Sequence, residues 1–295
     1  MEIELYKQRS MSACLKAAYV LWMSNIKRIL KATWLPMLIY ALLAAVATPP
    51  LFLADFIDSL GSSPGVLMIL NPIVLTFLQL GVAAWFTARI MNLLNGLDKK
   101  ENLSKSFIFT AFLFCIIVVW EMLLYGIEIF FVSSMYSNGP IPSVDNFPLV
   151  LGLIRLGMVL LLCAFLVPMS YVFMKYMFTK GASLRKFLKK YYIMGLKHWA
   201  FLFGSAFFSL FVLSIIALFI SLPGIILTIA RTLSEQGEMM GDPSGLPTYF
   251  GILTYVTFAV IYFILFFISI WNVFVMYYTY GTIEKQDEEK EKHKV

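Results

Sequence analysis

The chain has 295 residues, of which 60% are aliphatic, aromatic, Met or Cys and only 14% are charged, a balance well outside the roughly 45–50% apolar content of a soluble domain. The charges sit in clumps between long uncharged runs, which is how a bilayer protein distributes them. The excess of base (formal net charge +6) lies beside apolar runs rather than on a soluble basic face, so it follows the positive-inside pattern, and nucleic acid is not an expected partner.

Residues 1–28 precede any span. Met11, Leu15, Ala18, Trp22 and Ile26 recur at helical spacing with Ser12, Lys16 and Lys27 off the stripe, which predicts an amphipathic helix that lies either on the inner leaflet or against the cytoplasmic ends of the spans. Lys27, Arg28 and Lys31 precede an apolar run with the small-x-small sequence Ala45-Val46-Ala47. A signal peptide is the weaker reading of it, because the preceding region is too long and the apolar run continues past the site.

A helix needs about 20 apolar residues to cross a hydrocarbon core of roughly 30 Å. Six segments meet that length: 29–52, 66–90, 107–133, 148–175, 199–222 and 249–280. No alternating pattern of barrel strands is present, so the expected fold is all-α, a polytopic bundle of six transmembrane helices with amphipathic interfacial helices. In the fifth segment Leu222-Pro223-Gly224 predicts a break, with Ile226, Ile229, Leu233 and Met240 on one side of a short outer helix beyond it.

Basic residues sort by connection. The region before the first span together with Lys31 at its start, the connection after the second together with Arg89 at its end, the stretch 175–197 and the tail 284–295 hold 21 of the 23 Lys and Arg residues, while connections 53–65 and 134–147 hold none. The positive-inside rule then places both termini in the cytoplasm and the chain in the cytoplasmic membrane. Trp34, Trp85 and Trp199, near the inner ends of their spans, fit an interfacial aromatic belt. The tail is charged with mixed sign, which suits a solvated helix extension or a disordered end. A threefold repeat is also suggested, each even-numbered span ending in an aromatic-rich stretch and a Gly: Gly96, Gly181 and Gly281.

Three ionisable groups fall inside spans, where a charge costs about 2.5–3.5 kcal/mol on insertion scales and has a partner or a task. Glu121 and Glu128 share a face of the third span, and Arg155 is in the fourth. At 1.5 Å per residue from the outer ends, Glu128 lies about 8 Å deep, Arg155 about 11 Å and Glu121 about 18 Å. A Glu–Arg pair or triad can therefore form, either locking two helices or lining a proton or solute pathway. Asn71, Thr76, Gln79, Ser170 and Asn272 are weaker polar candidates whose default role is interhelical hydrogen bonding. Pro72, Pro168 and Pro223 allow the broken helices of a transporter, but Pro is ordinary in membrane helices.

The clearest surface is in 175–197. Leu184, Phe187, Leu188, Tyr191 and Met194 or Gly195 form one helical face, with Arg185, Lys186, Lys189, Lys190 and Lys197 off it. That pattern suits anchoring on anionic headgroups, with simple topogenesis as the alternative. Cys14, Cys115 and Cys163 are an odd number without CxxC spacing, and His198 and His293 lack a second ligand at metal spacing. No metal, cofactor or catalytic motif is expected.

The sequence Tyr277-Tyr278-Thr279-Tyr280-Gly281-Thr282-Ile283-Glu284-Lys285, and the start 12–36 with Asn25, Lys31 and Trp34, resemble bacterial six-span membrane domains like the anchor of glycerophosphodiester phosphodiesterase. The soluble catalytic domain of that enzyme has no counterpart here, so the resemblance implies a bacterial membrane domain without assigned catalytic residues. Two functions follow: a non-catalytic membrane domain that organises anionic phospholipid or a membrane protein partner through its basic face, or a small-solute or ion transporter that uses Glu121, Glu128 and Arg155.

Overall fold

The structure is a computed structural model and describes residues 4–48, 72–137, 147–243 and 245–292. Connections 53–65 and 138–146, Asn71, His293 and the first turn of the expected second span lie outside them. The described residues contain helices and no strand: α1 Met11–Ser24, α2 Ile26–Ala47, α3 Pro72–Leu94, α4 Lys99–Ser137, α5 Phe147–Phe178, α6 Leu184–Lys197, α7 Trp199–Met239 and α8 Phe250–Lys292. All but α1 and α6 are long and apolar enough to cross a membrane. The chain is a multi-pass integral membrane protein.

Helix bounds depart from the apolar runs where charge or Pro misleads. The third span begins earlier than residue 107: α4 starts at Lys99, and Lys105 closes an i,i+4 ion pair with Glu101 at 2.7 Å inside its first turns. Hydropathy sees only the lipid-facing part of such a helix. The break expected at Pro223 is absent, and α7 runs through it to Met239. One Pro removes a single backbone donor, and packing here outweighs that loss: a Cβ on Gly224 would stand 3.0 Å from Ile261 Cδ1 and Phe258 Cε1, so bare Gly lets α8 come close. The tail is the helical alternative, since α8 continues to Lys292.

Two compact units emerge, one formed by Met1–Phe107 and Ser205–Val295, the other by Ile108–Gly204. In the first, α8 packs against α2 and α1, and α2 against α3. Ala41 and Ala45 of α2 are buried, small residues that let helices approach closely where lipid offers no hydrophobic drive. Tyr40 stacks on Phe266 at 3.9 Å and Phe86 meets the same ring at 5.1 Å. Gln79 donates to the Leu43 carbonyl at 3.3 Å, and Ser209 donates to Asn272 Oδ1 at 2.7 Å. Both amides thus take the interhelical role expected of them. Ser170 instead bonds within its own helix, to the Val167 carbonyl.

Among the described residues the longest unbroken buried run is the Tyr-rich end of α8, Tyr277 to Ile283. It is covered by α1 and by the short segment before it. Cys14, Ala18 and Leu21 are the buried face of α1, so this helix takes the protein-packed alternative. Trp271 donates to the Leu15 carbonyl at 3.4 Å, Thr282 to the Lys7 carbonyl at 3.3 Å, and the Arg9 guanidinium sits 4.9 Å from the Tyr278 ring centre. Any side chain at Gly281 would run into the backbone carbonyl of Leu5. Gly281 is therefore a contact point inside a helix, whereas Gly96 and Gly181 stand at helix ends with φ of 64° and 66°, a conformation only Gly adopts freely. The third member of the suggested repeat is thus unlike the first two.

Candidate functional site: a basic helix and an apolar slot

The second unit holds α5, α6 and the parts of α4 and α7 from Ile108 to Gly204. After α5 ends, Gly181 turns the chain and α6 folds back along α5. Phe187 meets Tyr176, Tyr171 donates to Met194 Sδ at 3.2 Å, and Gly195 lies on Pro168. The last contact is tight. A Cβ on Gly195 would stand 2.9 Å from the Pro168 carbonyl oxygen and 3.1 Å from its Cα.

Without an N–H, Pro168 leaves the carbonyl of Ala164 with no helical partner, and a stranded carbonyl in an apolar setting is costly. Trp199 Nε1 donates to that carbonyl at 3.1 Å, and Tyr192 donates its hydroxyl to the neighbouring Phe165 carbonyl, also at 3.1 Å. Burial raises the Tyr192 hydroxyl from its ordinary value. Trp199 thus caps a ladder interrupted by Pro. The cue was the Pro itself, but its partner lies 31 positions away in sequence.

The face of α6 expected to enter lipid is seated on the protein. Leu184 and Gly195 are buried and Phe187, Leu188, Tyr191 and Met194 half-buried. Arg185, Lys186, Lys189, Lys190 and Lys197 remain exposed, and no acidic group among the described residues pairs with any of them. Lys175 and Lys190 each stand 5.4 Å from the Tyr191 ring centre.

The intramembrane charges divide. Arg155 forms a two-pronged pair with Glu128, Nε to Oε1 at 3.1 Å and Nη2 to Oε2 at 3.2 Å, the planar fork that suits guanidinium to carboxylate. Glu121 is exposed and has no hydrogen bond or ion pair among the described residues. The triad is not formed. The pair clasps α4 to α5 at one end, and Phe109 against Phe173 at 4.8 Å holds them at the other.

Between those clasps is a gap. A groove of about 330 Å³ lies among Cys115, Ile116, Val119, Trp120 and Phe165. A second, of about 440 Å³, lies among Phe112, Phe165, Met169 and the α6 residues Arg185, Leu188, Lys189, Tyr192 and Ile193. None of the three intramembrane charges lines either. Among the described residues no group of His, Cys, Asp and Glu is arranged to hold a metal ion. Sequence reading missed a separate polar knot in the first unit: buried Asn102 exchanges hydrogen bonds of 2.6–2.9 Å with Asn92 and Asn95 and so fixes the α3–α4 corner. The chain matches no known protein family, no curated protein and no solved structure.

Proposed function

We propose that this protein is a non-catalytic membrane domain that gathers anionic phospholipid on the cytoplasmic side of a bacterial cell membrane, with both termini inside. One observation carries the reading: α6 is fixed to α5 by its apolar face, which leaves Arg185, Lys186, Lys189, Lys190 and Lys197 exposed together and unopposed by acid. Such a helix is a rigid basic surface, and each cation near an anionic leaflet is worth about 1 kcal/mol. The resemblance to the anchor of glycerophosphodiester phosphodiesterase implies the coarser part of this reading, a bacterial membrane domain without assigned catalytic residues. The transport reading has weaker support, because Arg155 is occupied by Glu128 and Glu121 is not joined to either.

Spin-labelled lipids test this in proteoliposomes. The wild-type protein is expected to immobilise phosphatidylglycerol in preference to phosphatidylcholine. Added salt and replacement of Arg185, Lys186, Lys189 and Lys190 by Gln should both abolish the preference. Equal immobilisation of the two lipids by the wild type would overturn the proposal.

A further inference from the structure

The exposed side of α6 is not uniform. Arg185, Lys189, Ile193 and Leu196 follow one another at i, i+4, i+8 and i+11, so they form one stripe. Its first half is cationic and its second half apolar, with Ile193 52% and Leu196 46% exposed. Because α6 runs back along α5, the apolar half lies toward Phe165 and Pro168, and the cationic half toward the end of α5 at Phe178. Arg185, Lys189 and Ile193 line the larger groove, whereas Lys186, Lys190 and Lys197 do not. Neither groove cation has an ion pair among the described residues.

Phe165 walls both grooves, so the apolar floor passes from the α5–α6 groove into the slot between α4 and α5. Along α4 that floor runs from Phe112 to Trp120, about 12 Å at 1.5 Å per residue. The slot lies between the two contacts that join α4 and α5, Phe109 on Phe173 toward one end and Glu128 with Arg155 toward the other. The order of surfaces is thus two unpaired cations, a half-polar step at Tyr192, then a purely apolar slot. A single amphiphile with a phosphate at one end and an acyl chain at the other matches it in polarity.

Resting on the basic-surface reading above, we propose that unit Ile108–Gly204 holds one anionic glycerophospholipid at a defined site, its phosphate at Arg185 and Lys189 and an acyl chain along Ile193, Met169, Phe165 and Phe112 into the α4–α5 slot. The site selects for the combination. A free phosphate ester lacks the chain, and a zwitterionic lipid brings a cation next to two others.

Native mass spectrometry of the full-length protein, delipidated in detergent and titrated with dioleoyl phosphatidylglycerol, dioleoyl phosphatidylcholine or glycerol 3-phosphate, tests it. The wild type is expected to retain one phosphatidylglycerol in clear preference to the other two. R185Q/K189Q should weaken that retention by about fivefold per charge. K186Q/K190Q, with the same loss of charge off the groove, should leave it within twofold. I193W, which fills the groove from an exposed position, should weaken phosphatidylglycerol without restoring phosphatidylcholine. Equal losses in the two double variants would overturn the site while leaving the basic surface intact. Glycerol 3-phosphate bound as well as the lipid would overturn the acyl-chain part. Absence of any preference for anionic lipid in the wild type would overturn both the site and the surface.

Discussion

Replacing Trp199 by Phe removes the indole N–H together with part of the ring, and a comparison of backgrounds separates the two. The ring stack on Phe203, 4.7 Å between centres and 7° from parallel, can be kept by Phe, whereas the 3.1 Å bond to the Ala164 carbonyl cannot. That carbonyl lacks its i+4 helical donor because residue 168 is Pro. An unpaired group of this kind costs about 1–3 kcal/mol, and Trp199→Phe is expected to lose that much stability. The cause can be isolated. Pro168→Ala returns an N–H to the helix ladder while the loss of ring area is common to both backgrounds, so Trp199→Phe should cost less there by about 1 kcal/mol or more. Unfolding by SDS titration in mixed micelles, followed by far-UV circular dichroism, gives all four corners of the cycle. The same cost of Trp199→Phe with and without Pro168 would refute the reasoning.

Four further outcomes are expected. Arg155→Gln or Glu128→Gln alone should destabilise by about 2.5–3.5 kcal/mol, since either leaves one charge unpaired in the apolar part of the helices, and the double variant should recover most of it in the same titration. Gly281→Ala should push the segment around Leu5 off α8, which limited proteolysis reads as faster cleavage before α1, with a stability loss of about 1–3 kcal/mol. Tyr278 is buried with no hydrogen-bond partner for its hydroxyl among the described residues, so Tyr278→Phe should be neutral or stabilising by up to about 1 kcal/mol in thermal melts, the Arg9 contact being to the ring. The Cys14 thiol is raised above the ordinary range, chiefly by burial. Its thiolate is therefore scarce at neutral pH, and a water-soluble maleimide should label it only after unfolding.

The spans were legible because length and hydropathy suffice where every backbone group must be satisfied inside the segment. The Arg155–Glu128 pair was legible too, from depths counted along two adjacent helices, while the exclusion of Glu121 depended on rotation about the helix axis that depth does not give. Periodicity marked the apolar face of α6 but could not say what covers it, since lipid and α5 ask for the same Leu, Phe and Tyr. Helix breaks were the least legible. Pro168 and Pro223 look alike in sequence, yet one is capped by Trp199 and the other is absorbed where Gly224 lets α8 close in. Gly281 carried a readable signal, as Gly inside a helix costs about 1 kcal/mol and marks a close approach, but the partner at Leu5 is nearly the whole chain away.

Every part of the lipid-binding account requires the basic surface to face the cytoplasm. In a variant lacking the three native cysteines, single cysteines in place of Lys180 and Lys285 should be shielded from an impermeant maleimide in intact cells and labelled in inverted membrane vesicles. Labelling of the cysteine at position 180 from outside intact cells would contradict the account.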